Sequence, residues 1–155
     1  MGQVLAEGDA APDFVLLGIE GTPVQFKDFA RRKLVLYFYP KDDTSGCTKQ
    51  AIDFNAMRAE FAAAGTDILG VSPDSMASHT KFRKKYDLAL PLASDEAKHT
   101  LNAYGVWTQK SMYGRKYMGV ERTTFLIKDG KIARTWRKVS VPGHAEEVLA
   151  AAKSI

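Results

Sequence analysis

Cys47 closes the run PKDDTSGC (40–47), directly after the apolar stretch LVLYFY (34–39) and before a segment of helix formers; it is the only cysteine among these 155 residues. A thiol, a threonine three residues back, an adjacent glycine and a more distant proline form a set suited to sulfur chemistry. A helix beginning near Cys47 leaves its first-turn N–H groups without partners and places partial positive charge there. Thiol pKa values fall from about 8.5 into the range ~3.5–7.5 at helix N-termini or beside cations. Thr44 and Ser45 offer short hydroxyls that can cap those N–H groups or touch the sulfur. Gly46 removes a side chain where backbone comes close to the reacting atom.

Helical phase adds a second expectation. At about 100° per residue, Cys47 falls within roughly 20° of Phe54, on an apolar stripe continued by Met57, Phe61 and Ala64. The sulfur therefore faces the core. A thiol in purely apolar surroundings stays protonated and inert, so a cation is needed to make it reactive. Arg122 opens the run TTFLIK (123–128); if that strand runs antiparallel to LVLYFY, Arg122 lies beside the end that carries Cys47. Lys41 is nearer in sequence but is expected to extend into solvent. A guanidinium stays charged, and its fork can hold both a sulfur and a substrate oxygen, which favours Arg122.

The elements that must position these groups follow from pattern. LVLYFY is a continuous apolar run of strand length, and Pro40 ends it because proline has no N–H for the ladder. APDFVLLGIEGTPVQF (11–26) reads as two short extended pieces joined at Glu20-Gly21. A helix is expected over Thr48–Ala64, closed by Gly65. TDILGVS (66–72) is a second buried strand, and residues 75–87 form a polar amphipathic helix capped by Ser75. LPLASD (90–95) reads as a short strand and EAKHTLNAYG (96–105) as a short helix. TTFLIK and KIARTW flank Asp129-Gly130, a pair suited to a two-residue hairpin turn. HAEEVLAAAKSI (144–155) is a closing helix. Alternating β and α units followed by a hairpin imply an α/β architecture, a mixed central β-sheet flanked by helices. That layout resembles the thioredoxin-like fold with an N-terminal extension, as one domain over 1–155.

Composition narrows the function classes. The chain is 45% hydrophobic and 26% charged, ordinary for one globular domain, and no apolar run approaches the roughly 20 residues a membrane span needs. Its start lacks a secretory pattern, and MGQVLA fails the myristoylation pattern. A single cysteine excludes an internal disulfide and favours a reducing, cytoplasmic setting. The net charge of +4 is too small to imply nucleic acid, and its basic residues are scattered. Trp136 among them reads as a packing residue on a strand face.

P-x-x-x-T-x-x-C, present as Pro40, Thr44 and Cys47, resembles the active-site signature of the peroxiredoxins. YFYPKDDTSGCTKQ is similar to the bacterioferritin comigratory protein (Q-type) subgroup. APDF (11–14) resembles that family's opening motif, and GVERTTFLIKDGKI (119–132) resembles the segment carrying its active-site arginine. The resemblance covers nearly the whole chain. It implies a thiol peroxidase active in antioxidant defence, with no cofactor and no metal. Cys47 would attack the peroxide O–O bond and become a sulfenic acid. Thr44 and Arg122 would align the two oxygens and stabilise the leaving one. Pro40 would shield the sulfenic acid, and backbone around Gly46 and Cys47, with Ser45, would line the substrate pocket.

Two departures stand out. Ser45 replaces the usual proline of T-P-G-C, and Ile52 occupies the position where many relatives carry a resolving cysteine. The resemblance therefore implies a one-cysteine variant that acts on hydrogen peroxide and organic hydroperoxides. An external thiol (thioredoxin, glutaredoxin or glutathione) would regenerate it. Relatives in the subgroup imply a monomer or weak dimer, without nucleic-acid or membrane partners.

Each residue also has a plainer role. Cys47 alone could be a small packing residue, Thr44 a cap, Pro40 a strand terminator and Arg122 a surface charge. His79, His99 and His144 read as surface-helix or cap residues with no metal spacing. QKSMYGRKYMGV (109–120) reads as a flexible polar loop whose Tyr113 and Tyr117 could line a substrate entrance, and Ile52 as a small apolar contact. A thioredoxin-fold binding or chaperone module with an inert cysteine, or a cysteine hydrolase using a histidine, stay open as alternatives.

Overall fold

The computed structural model describes residues 5–18 and 21–155. Glu20, half of the expected joint at Glu20-Gly21, lies outside them. The sheet elements are β1 (Val15–Leu17), β2 (Pro23–Gln25), β3 (Lys33–Phe38), β4 (Thr66–Ser72), β5 (Leu92–Ser94), β6 (Trp107–Met112), β7 (Arg115–Val120), β8 (Thr123–Lys128) and β9 (Lys131–Trp136). The helices are α1 (Ser45–Ala56), α2 (Arg58–Ala63), α3 (Met76–Lys85), α4 (His99–Ala103) and α5 (His144–Ser154).

LVLYFY forms the middle of the molecule. Five residues of β3, Leu34 to Phe38, are buried on both faces, as a continuous apolar strand requires. β3 runs parallel to β4 and antiparallel to β8, within a seven-stranded order β2-β1-β5-β4-β3-β8-β9. This is the mixed sheet of a thioredoxin-like fold. Alternate β3 side chains feed two cores. Val35 and Tyr37 join Cys47, Phe54, Phe61, Phe82 and Val148 on the side built by α1, α2, α3 and α5. Leu34, Leu36 and Phe38 join Phe14, Leu101, Tyr104 and Val120 on the other. Tyr37 stacks on Phe54 at 4.8 Å, so the strand that leads to the cysteine and the helix that carries it share one aromatic contact.

The structure corrects three expectations. First, the helix expected over 48–64 starts earlier and breaks. α1 begins at Ser45, behind Thr44 as N-cap, and ends where the Met57 N–H donates to the Phe54 carbonyl, three residues back. The break coincides with Asn55, whose Oδ1 accepts from the Ala89 and Leu90 N–H groups and from Arg58. Gly65 does follow the last turn of α2, at φ +68. Second, residues 109–120 are not a loop. They belong to a β6/β7 hairpin that turns at Tyr113-Gly114, with φ of 52 and 78. Its outer parts are mostly exposed on both faces, so the sequence shows no apolar alternation to betray it.

Third, two histidines are internal. His79 is fully buried (0% exposed) and His144 nearly so, whereas His99 is exposed as expected. His144 Nε2 pairs with the Thr124 hydroxyl at 2.9 Å, and its ring packs edge-on against Phe54 and Trp136. Burial holds its pKa below the ordinary histidine value, against the nearby Glu147. Trp136 itself packs against the core and donates to Glu147.

Candidate active site

Cys47 sits in the first turn of α1 with 1% of its surface exposed, on the core face shared with Phe54. The antiparallel β3/β8 pairing sets Phe38 opposite Thr123, which brings Arg122 next to the end of β3. Arg122 Nη2 donates to Cys47 Sγ at 3.2 Å. The guanidinium thus faces the sulfur from 75 residues away, and helix-terminus dipole and side-chain charge act on it together. A Cβ built on Gly46 would lie 3.2 Å from Arg122 Nη2, so the glycine keeps open the approach the guanidinium uses. Lys41 is exposed, as expected.

Other parts of the expected set are placed differently. The Thr44 hydroxyl neither caps the helix nor contacts the sulfur; it donates to the Lys41 carbonyl at 2.9 Å. The Thr44 carbonyl does accept the first helical bond, from the Thr48 N–H at 2.8 Å. Thr44 and Ser45 are exposed at the mouth of the site, and Pro40 is half-buried at the end of β3. A hydroxyl that already donates to a carbonyl still has lone pairs free to accept a hydrogen from a peroxide.

Two neighbours escaped the sequence reading. Gln50, one turn beyond Cys47 and 1% exposed, accepts from Arg122 Nη1 at 2.7 Å. The amide fixes the guanidinium without neutralising it. Its signal was a polar residue on the buried face of α1. A hydrogen bond to a charged group is worth roughly 1.5–3 kcal/mol, so Gln50→Leu is expected to slow Cys47 oxidation about ten- to a hundredfold. Gln50→Glu should slow it as well, because its carboxylate neutralises the guanidinium and repels the thiolate, both measured by stoichiometric oxidation with hydrogen peroxide.

The second is the anchorage of the 40–44 loop. Asp42 is buried and takes hydrogen bonds from Tyr39 (2.5 Å) and Ser78 (2.8 Å), with His79 Nδ1 at 2.7 Å. His79 Nε2 faces the Ala93 carbonyl at 3.0 Å, which can only accept, so that nitrogen carries a hydrogen. Asp43 is held by Lys85 and Tyr86, which keep its carboxyl below the usual range. α3 therefore fastens the loop that delivers Pro40 and Thr44. Removing one partner of a buried pair costs roughly 3–5 kcal/mol, so Asp42→Ala is expected to lower the melting temperature by about 10 °C. An unchanged melting temperature would show that the loop does not depend on this anchor.

The Tyr37 hydroxyl is buried without a hydrogen-bond partner. Burial raises its pKa far above the ordinary phenol value, helped by Cys47 and Asp42 and opposed by Arg122. It stays neutral. Asp42, Asp74 and His79 are close enough together to suggest a metal cluster, but Tyr39, Ser72, Ser78 and the Asp42 N–H already occupy the carboxylates. Those bonds tie the group to the 40–44 loop.

Fold and site together define a thioredoxin-like protein organised around one sulfur and one guanidinium. Residues 7–135 match the family described as AhpC/TSA. Peroxiredoxin Bcp of Bacillus subtilis is 44% identical over 149 residues, covering 96% of this chain and 95% of its own. Peroxiredoxin Bcp of Xanthomonas campestris is 48% identical over 135 residues, covering 86% and 84%. Among solved structures, Xylella fastidiosa PrxQ, as a cysteine-to-serine mutant, aligns over 99% of this chain and 98% of its own, with TM-score 0.92 and 38% identity. Xanthomonas campestris peroxiredoxin Q aligns over 91% and 90%, with TM-score 0.87 and 46% identity. The chain belongs to the AhpC/TSA family, as a one-cysteine peroxiredoxin of the bacterioferritin comigratory protein (Q-type) subgroup, and it is a thiol peroxidase.

Proposed function

We propose that Cys47 is the peroxidatic residue and that an external thiol completes its cycle. The contact between Arg122 Nη2 and Cys47 Sγ carries this reading. The thiolate attacks one peroxide oxygen, the O–O bond breaks, and its electron pair leaves on the second oxygen, which takes a proton to give water or an alcohol. Cys47 becomes a sulfenic acid. Arg122 stabilises the charge on the leaving oxygen, Thr44 accepts from the peroxide, and Pro40 screens the sulfur. Gly46 and Ser45 border the pocket.

Regeneration needs a second thiol, and this chain has none. By contrast, Xanthomonas campestris peroxiredoxin Q has been solved with serine at either of two different cysteines. A mixed disulfide with thioredoxin, glutaredoxin or glutathione replaces the internal bridge. Both hydrogen peroxide and organic hydroperoxides serve as substrates; the bacterioferritin comigratory protein of Xanthomonas campestris has been described for alkyl peroxide reduction. The setting is the reducing cytoplasm, the form a monomer or weak dimer, and the role antioxidant defence. Among the described residues no helix is long and apolar enough to cross a membrane. Mass spectrometry of the peroxide-treated protein with each reductant tests the cycle. The expected adduct is one reductant on Cys47, released by further thiol; a protein that stays oxidised with every reductant would defeat the regeneration step.

A further inference from the structure

Behind Arg122, on the side of the β6/β7 hairpin, lies a cleft of about 480 Å³. Three cations line it: Lys110 from β6, Arg122, and Lys138 from the segment after β9. Glu121 is the one acid in the lining. Among the described residues, none of the three cations forms an ion pair. Arg122 spends its hydrogen bonds on a neutral amide and the sulfur, so no carboxylate cancels its charge.

The arrangement is built rather than incidental. The Val139 N–H donates to the Arg122 carbonyl at 3.0 Å and ties the 138–139 segment to the arginine. Lys138 adopts φ +49, a left-handed conformation uncommon for a residue with a side chain. A Cβ on Gly119 would meet the Lys110 Cδ at 3.3 Å, so the glycine lets the lysine stem lie across the hairpin. Burial, and then the nearby Arg122, push the Lys110 pKa down, opposed by Glu121 and Cys47. With three cations against one acid, the lining offers an anion a net positive charge.

We propose that this cleft binds the carboxylate of a low-molecular-weight thiol and so seats the reductant beside the oxidised sulfur. The inference rests on the external-thiol reading above. Cys47 is absent from the lining, but the guanidinium that walls the cleft also touches Sγ. A small acidic thiol anchored here by its charge carries its sulfur round that one side chain. A peroxide must instead place both oxygens directly at Sγ. In the step that follows, the reductant thiolate attacks the sulfenic sulfur, the S–O bond breaks, and hydroxide leaves as water with a proton. A second thiol then attacks the reductant's sulfur, freeing Cys47 as thiolate and releasing the reductant as its disulfide.

The test forms the sulfenic acid with one equivalent of hydrogen peroxide and mixes it with 3-mercaptopropionate, 2-mercaptoethanol or cysteamine. Rate constants are expressed per thiolate. Clefts of one charge raise encounter rates by roughly 10–10³, so the anionic thiol should outpace the neutral one by about tenfold or more, with cysteamine slowest. Added salt should shrink the difference. In Lys110→Gln/Lys138→Gln the ratio should fall below about threefold, and the use of a ratio cancels any change in the sulfenic acid itself. Equal rates in the wild type, or a ratio unchanged in the variant, overturn the proposal. A parallel comparison of a carboxylated hydroperoxide with tert-butyl hydroperoxide covers the other source of a carboxylate. A charge preference confined to that oxidation step assigns the cleft to substrate and overturns the reductant assignment. If none of the three thiols restores free Cys47, the low-molecular-weight assignment is overturned, a result distinct from equal rates, and failure with thioredoxin and glutaredoxin too would defeat the external-thiol cycle itself.

Discussion

Cys47→Ser is expected to lose peroxide reduction entirely, a fall on the order of 10⁶-fold, the scale on which removing a nucleophile acts. The serine hydroxyl fits the same volume in the first turn of α1 and can still meet Arg122. It does not ionise near neutral pH, however, and an alcohol does not accept an oxygen from peroxide as a sulfur does. The substitution leaves the aromatic packing around Phe54 and Tyr37 in place. A stability change within about 1 kcal/mol is therefore expected, and a matched thermal melt separates lost chemistry from lost folding. Because no other cysteine exists in the chain, nothing can substitute. Residual peroxidase activity above background would mean that the oxidised group is not this sulfur.

Arg122→Ala is the second large effect. It removes the only cation donating to Sγ among the described residues and leaves the Gln50 Oε1 without its donor. Loss of one preorganised donor at a developing charge costs about 10²–10³ in rate, and the same drop is expected here in the second-order rate constant with hydrogen peroxide. Arg122→Lys should fall between wild type and alanine, since an ammonium is a point charge and cannot hold the amide and the sulfur in one fork. An alanine variant that reacts as fast as wild type would remove Arg122 from the reaction.

Much of this geometry could be read from the chain, and the reasons are particular. β3 announced itself through six apolar residues ended by a proline, and the β8/β9 turn through Asp129-Gly130, both observed at positive φ. Those two signals located the strands; their antiparallel pairing, conditional in the sequence, is seen in the fold and brings Arg122 to the end of β3. Helical phase placed Cys47 on the core face of α1. What escaped depended on contacts made across the fold. Gln50 looked like a polar helix residue until Arg122 was set against it. His79 sat in a polar stretch, and only the packing of α3 against the 40–44 loop shows that Asp42, Tyr39 and Ala93 surround it. The β6/β7 hairpin carries polar residues on both faces, so the two-residue period of a half-buried strand is missing. Thr44 was expected either to cap the helix or to touch the sulfur. The loop turned its hydroxyl toward Lys41 instead.

Stopped-flow oxidation of the reduced protein by hydrogen peroxide tests the central claim most directly. A sulfur activated by α1 and Arg122 should react in a single phase, linear in peroxide, roughly 10³-fold or more faster than free cysteine at the same pH. A rate no greater than that of free cysteine would leave Cys47 a packing residue and contradict the account.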